Sequence, residues 1–211
     1  MSSTNRGAER VAFDAYYTPD ALAHACVSVL TDANPDHVVE PSVGGGAFVR
    51  AVRARWPRAR VSGYDLDPEA KGGALCDAFY NTNWLTIAPT SKPDVILGNP
   101  PYNEAEAHVR KALERVHPAG GTVGMLLRLA FLESKQRKPF WREWGSQLDS
   151  VYVLADRPSF VASGARDSCA YGWFVWRTGT LAFGQLVPAW SWRDTVREET
   201  PCETKRASNR N

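Results

Sequence analysis

Short apolar runs alternate with stretches of helical period along most of the chain, and this alternation restricts the fold more than any other feature. The runs are His37–Val39, Arg60–Tyr64, Pro93–Leu97, Thr122–Leu127 and Val151–Ala155. Between them, Phe48, Val49 and Val52 open one helix, Glu104–Val116 read as another, and Lys135–Leu148 as a third with Pro139 in an early turn. Thr18-Pro19 reads as an N-cap and a first-turn proline, ahead of Leu22, Ala25, Cys26 and Val29 at helical spacing. Strands that alternate with helices pair in parallel, with helices on both faces. Ala170–Trp176 and Leu181–Val187 flank Thr178-Gly179, a hairpin signal. The expected fold is α/β: a mostly parallel, twisted sheet with an antiparallel C-terminal hairpin. One domain is expected over 13–192, with a loose N-terminus over 1–12 and a polar, disordered tail over 193–211.

Three of the runs end in residues with chemical use. The first ends in Glu40-Pro41-Ser42-Val43-Gly44-Gly45-Gly46. Glycines there admit a ligand that a Cβ would hold off. The stretch has neither G-x-G-x-x-G spacing nor Gly-Lys-Ser/Thr, so a plain strand-to-helix turn is the alternative. The second run ends at Asp65, followed by Leu66 and Asp67, 25 residues past Glu40. An acid at that strand end suits a ribose diol, and Asp67 before Pro68 suits a helix cap. The third run ends in Asn99-Pro100-Pro101-Tyr102. An exocyclic amine is a poor nucleophile because its lone pair is delocalised. The Asn99 side-chain oxygen and the Pro100 carbonyl can accept its two hydrogens, which fixes the nitrogen in place. Tyr102 offers a ring for stacking on a flipped base.

These motifs, in this order, resemble the N6-adenine DNA methyltransferases whose cofactor motifs precede the catalytic one. The resemblance covers about residues 13–177. It implies the Rossmann-like class I fold of enzymes that use S-adenosyl-L-methionine (AdoMet), release S-adenosyl-L-homocysteine and need no metal. Tyr17-Thr18-Pro19 is similar to the family's N-terminal cofactor motif. The stretch from Glu40 through Pro41, Ser42, Gly44, Gly45 and Gly46 to Phe48 is similar to its glycine-rich motif. Asp65, with Leu66, corresponds to its ribose-binding acid, and Asn99 to Tyr102 to its catalytic tetrapeptide. One position departs: where the family has Asp-Phe-Leu, this chain has Asn83-Trp84-Leu85, with Asp77-Ala78-Phe79 as the alternative match. The implied role there is acceptance of the cofactor adenine's amine. Phe160 corresponds to a loop aromatic that stacks on the target base; a packed loop anchor is its other reading.

The implied substrate is DNA, with the adenine flipped out of a duplex or taken from a single strand. Lys135 and Arg137, in a basic and aromatic stretch, are candidate phosphate contacts, as is Arg166; a solvated helix face is the alternative. The net charge of +2 gives no strong global field, so any nucleic-acid contact must be local. Four scattered cysteines suggest neither a zinc site nor a disulfide framework, and a reducing cytoplasm suits them. No apolar run approaches the roughly 20 residues of a membrane span. Only about 35 residues follow Trp176, so base readout is expected from loops 103–108, 133–145 and 157–168, from a homodimer or a specificity partner, or not at all. A small phage-like enzyme would suit this economy, by analogy. Two other readings stay open. One is an RNA or protein-glutamine N-methyltransferase of the same fold, although the glutamine enzymes carry a helical domain ahead of the glycine motif. The other is a non-catalytic AdoMet-binding partner subunit.

Overall fold

The five expected apolar runs are strands, and three further strands join them. The computed structural model describes residues 17–31, 33–88, 91–160, 169–179 and 184–195. The strands are β1 (His37–Glu40), β2 (Arg60–Asp65), β3 (Ala78–Asn81), β4 (Val95–Gly98), β5 (Thr122–Arg128), β6 (Leu148–Leu154), β7 (Tyr171–Arg177) and β8 (Gln185–Trp190). The helices are α1 (Asp20–Ser28), α2 (Ala47–Arg55), α3 (Ala105–Arg115), α4 (Lys138–Trp144) and α5 (Trp192–Thr195). All eight strands form one sheet in the order β3-β2-β1-β4-β5-β7-β6-β8. β7 alone is reversed: it is antiparallel to both β5 and β6, while β8 runs parallel to β6.

The antiparallel hairpin is therefore β6–β7, and not the pair expected around Thr178-Gly179. β7 already has a partner on each side, so it offers no edge to the strand that follows. Thr178 instead turns against the preceding loop, donating its N–H to Gly121 O at 2.9 Å and accepting at its carbonyl from Gly120 N at 2.9 Å. β8 then crosses to the free edge of β6. The third helix also differs from expectation. A 3-10 turn over Lys135–Arg137 leads into α4, which has Pro139 in its first turn, and a second 3-10 turn over Gly145–Gln147 ends it. Proline lacks a donor, so it fits only where the N–H needs no partner.

Helices cover both faces. Leu22, Cys26, Phe48 and Val52 of α1 and α2 pack on one side, and Val109, Ala112 and Leu113 of α3 with Phe140 of α4 on the other. β7 serves both cores: Trp173 and Val175 point to the first, Phe174 and Trp176 to the second. Alternation along a strand dictates that division. Trp173 stacks on Phe48 with ring centroids 5.4 Å apart. It fits because its neighbour is Gly124, where a Cβ would come within 2.4 Å of the indole. Five of the eight tryptophans are buried. Among the described residues, no helix is long and apolar enough to cross a membrane.

The strand order places the site. From β1 the chain builds outward through β2 and β3; from β4 it builds the other way through β5. The C-terminal ends of β1 and β4 thus flank a topological switch point, where open α/β sheets bind ligands. Glu40 closes β1 and Gly98-Asn99 closes β4. The last described element, α5, packs on α1. Of the tail expected to be disordered over 193–211, Arg193 to Thr195 belong to α5, and 196–211 lie outside the described residues, as do residues 1–12, expected to be loose.

Candidate active site

The glycine loop is held by the acid that follows the next strand. Gly44 has φ +48° and Gly46 φ +79°, so the chain turns through left-handed conformations before α2 begins. A Cβ on Gly46 would lie 2.6 Å from Gly72 Cα. Asp65 Oδ2 accepts from Gly44 N at 2.7 Å and its Oδ1 from Asp67 N at 2.9 Å. Each oxygen keeps acceptor capacity for a further donor such as a hydroxyl.

Glu40 is 2% exposed, and its Oε2 has no hydrogen-bond partner among the described residues. Burial first, and the Asp65 carboxylate second, push its pKa well above the usual carboxylate range, while Arg50 pulls it down. A buried, unpartnered carboxylate in a cavity wall favours a cationic ligand group. Thr18, Ser42, Arg50, Lys71 and Asn99 line the same cavity. Arg50 binds Asp20 of α1 and donates to Gly45 O at 2.9 Å, so it clamps the glycine loop to α1.

Thr18 has a different task from the expected one. Pro19 precedes α1 as its cap residue without a side-chain capping bond. The Thr18 hydroxyl instead accepts from Asn99 Nδ2 at 3.2 Å. That fixes the Asn99 amide and leaves its Oδ1 buried, with no partner among the described residues. The Pro100 carbonyl likewise accepts no hydrogen bond there. The two acceptors picked out by the sequence are thus both unengaged at the end of β4.

A second cavity adjoins the first and shares Tyr17, Ser42, Gly44 and Asn99 with it. Pro41, Asp65, Leu66, Asn83, Trp84 and all of Asn99 to Tyr102 line it. Leu66 is half-exposed and Trp84 buried. Trp84 stacks on His108 at 5.8 Å, and the Lys111 and Arg115 charges lie 5.4 and 5.7 Å from its ring centroid. Burial lowers the His108 pKa. Asn83 Oδ1 accepts from Leu85 N at 2.9 Å, which shapes the loop. The alternative match, Asp77, is not a cavity residue: it accepts from Val61 N at 2.7 Å and pairs with Arg53 at 2.8 Å.

Tyr102 lines the cavity, with the Arg128 guanidinium 4.9 Å over its ring and Tyr171 5.5 Å away. Burial raises the Tyr102 pKa. Phe160 departs from the stacking expectation. It is 4% exposed and packs edge-on against Tyr171 at 5.1 Å, so it is a packed residue that lines neither of the two cavities. Arg137 is held internally, and Lys135 lies on the surface and lines neither cavity. Arg166 lies outside the described residues. Sequence reasoning missed Arg50, Lys71, Thr82 and His108 as cavity residues; no motif marks them, and only the fold gathers them.

No protein-family model matches the chain. Over 91 residues it is 29% identical to the type II methyltransferase M.CvrRI of Paramecium bursaria Chlorella virus XZ-6E, a stretch covering 41% of this chain and 24% of that enzyme. Its structure superposes on a Listeria monocytogenes protein described as a class I AdoMet-dependent methyltransferase, with TM-score 0.63 and 11% identity, covering 84% of this chain and 67% of that one. The DrdV–DNA complex gives TM-score 0.59 at 14% identity, over 90% of this chain and 29% of that one. TrmN from Thermus thermophilus gives 0.52 at 22%, over 75% and 48%. The architecture of this chain is that of the class I AdoMet-dependent methyltransferases.

Proposed function

We propose that this chain methylates the N6 amine of adenine in DNA, using AdoMet. One observation carries the reading: Asn99 Oδ1 is buried and unengaged beside a cavity, on an amide whose other end is fixed by Thr18. A viral relative that is a type II methyltransferase and a fold neighbour solved with DNA support it.

The residues present fit AdoMet. An α-ammonium would pair with the buried Glu40 Oε2. Asp65 has acceptor capacity left for a ribose, beside a loop whose glycines admit close approach. Leu66 and Trp84 give the second cavity apolar walls, and Tyr17, 53% exposed, borders both cavities. Asn83 replaces the family's aspartate, so it can accept a hydrogen bond without contributing charge. When bound, AdoMet supplies an electrophilic sulfonium methyl.

The chain's own contribution is positional. Asn99 Oδ1 and the Pro100 carbonyl accept the two amine hydrogens and aim the nitrogen lone pair. Both prolines stiffen the loop, and Tyr102 supports the base plane. The nitrogen grows acidic as it is alkylated, so it loses its proton to solvent without a strong base in the site. Tritiated methyl incorporation into duplex DNA, RNA and protein, measured in parallel, tests the substrate class. Label confined to DNA adenine is expected; label in RNA or protein alone would replace the reading with one of its alternatives.

A further inference from the structure

Just past β5 lies a charged surface that the proposed chemistry does not use. Residues 134–142 hold four cations and no acid. Arg137 is already engaged: it donates to Ala130 O at 2.8 Å, lies 3.7 Å from Glu106 and covers the Phe131 ring at 4.8 Å. Lys135, Lys138 and Arg142 are different. All three are exposed and make no ion pair or side-chain hydrogen bond with the described residues. They line one shallow groove together with Trp141, Leu132 and Ser134.

The spacing explains the shared face. Lys138 and Arg142 stand four apart on α4, and Lys135 three residues before Lys138, so all three project to one side. Trp141 is the groove's apolar wall, stacked 6.4 Å from Trp176, and its indole N–H has no acceptor among the described residues. Three uncompensated cations stand out on a chain whose formal net charge is +2. The groove also sits at the right end of the sheet. β5 runs parallel to β4 and ends at Arg128, whose guanidinium lies over Tyr102. α4 is tied to α3 through Arg110 and Glu143, and α3 begins three residues after Tyr102.

We propose that this groove binds the phosphate backbone of the DNA substrate beside the target base. The proposal rests on the DNA-methyltransferase reading and assigns that substrate its docking surface. Lys135, Lys138 and Arg142 neutralise phosphates, and the Trp141 ring forms the apolar wall beside them. Phosphate contacts position a substrate and carry no sequence information. The binding is therefore salt-sensitive and indifferent to the bases it lies against.

The test uses the full chain with Lys135, Lys138 and Arg142 changed together to Glu, and a second triple variant with Gln should the first fail to fold. Fluorescence anisotropy with an adenine-containing duplex is measured over a salt series, alongside methyl transfer and AdoMet calorimetry. Three lost phosphate contacts reduce the log–log salt slope by about 2.7, at about 0.9 each. The KM for DNA rises at least about tenfold, as expected for lost non-specific phosphate contacts, while kcat at saturating DNA and the AdoMet Kd hold. An unchanged slope and KM would overturn the proposal, as would binding of an equivalent RNA duplex in place of DNA. Wild-type methylation of DNA with unaffected variants defeats the groove alone. Groove-dependent DNA binding without any methyl transfer defeats the activity reading and leaves the groove standing.

Discussion

Glu40 combines two demands on one side chain. Its carboxylate is buried without a partner at Oε2, and desolvation and Asp65 raise its pKa. In the folded, ligand-free protein it holds its proton to higher pH than in the unfolded chain. Stability is then full below the ordinary glutamate value, about 4.3, and declines as pH rises from there toward the raised pKa. Glu40→Gln should narrow the Tm difference between pH 5 and pH 8 in ligand-free protein, read by calorimetry. The same variant should weaken AdoMet binding by about 10- to 100-fold, the value of a charged hydrogen bond. Stronger or equal binding would remove Glu40 from the cofactor site. Thr18 acts through Asn99 and is a positioning residue. Thr18→Val removes the acceptor of Asn99 Nδ2, a net loss of about 1 kcal/mol and so about fivefold in kcat. Thr18→Ser should restore the rate, which a purely packing role would not predict.

At the scale of elements, α3 holds the loop that carries Asn83 and Trp84. Lys111 Nζ donates to Leu85 O and, at 3.0 Å, to Ile87 O, and Arg115 also binds the Ile87 carbonyl. Lys111→Met keeps the stem and loses the donors. The KM for AdoMet should rise about fivefold, near 1 kcal/mol, with kcat within about twofold. A fall in kcat at constant KM would place the helix elsewhere in the mechanism. Elements also show what the sequence reveals. β1, β2, β4, β5 and β6 are legible because strands covered on both faces read as apolar runs. β3 has four residues, none buried, and offers no pattern to read; β8 is legible only in part, as the run Leu181–Val187, and Pro188 and exposed Leu186 at a sheet edge hide its end and its partner. The strand-end residues Glu40, Asp65 and Asn99 are legible because each follows such a run. The Thr18–Asn99 bond spans 81 residues, so local spacing marks Thr18 only as a helix cap.

The whole molecule closes through its C-terminal side. Trp192 is 4% exposed in the core shared with α1 and α2, and its Nε1 donates to Asp156 O at 3.0 Å. Trp192→Ala should cost about 3–5 kcal/mol, as large buried aromatics do, measured by denaturant unfolding. A cost under about 1 kcal/mol, the level of an ordinary surface change, would mean that α5 does not secure the fold. The same sheet holds the ends of β1, β2 and β4 in register, so Glu40, Asp65 and Asn99 meet at one crevice. That convergence is the basis of the proposed chemistry. Its most direct test is nucleoside mass spectrometry of DNA from cells expressing the full chain or its Asn99→Ala variant. The wild type should yield N6-methyl-2′-deoxyadenosine, and the variant should bind AdoMet yet yield at least about 100-fold less, the scale of one lost preorganised contact. No N6-methyladenine from the wild type, or equal amounts from both, would contradict the account.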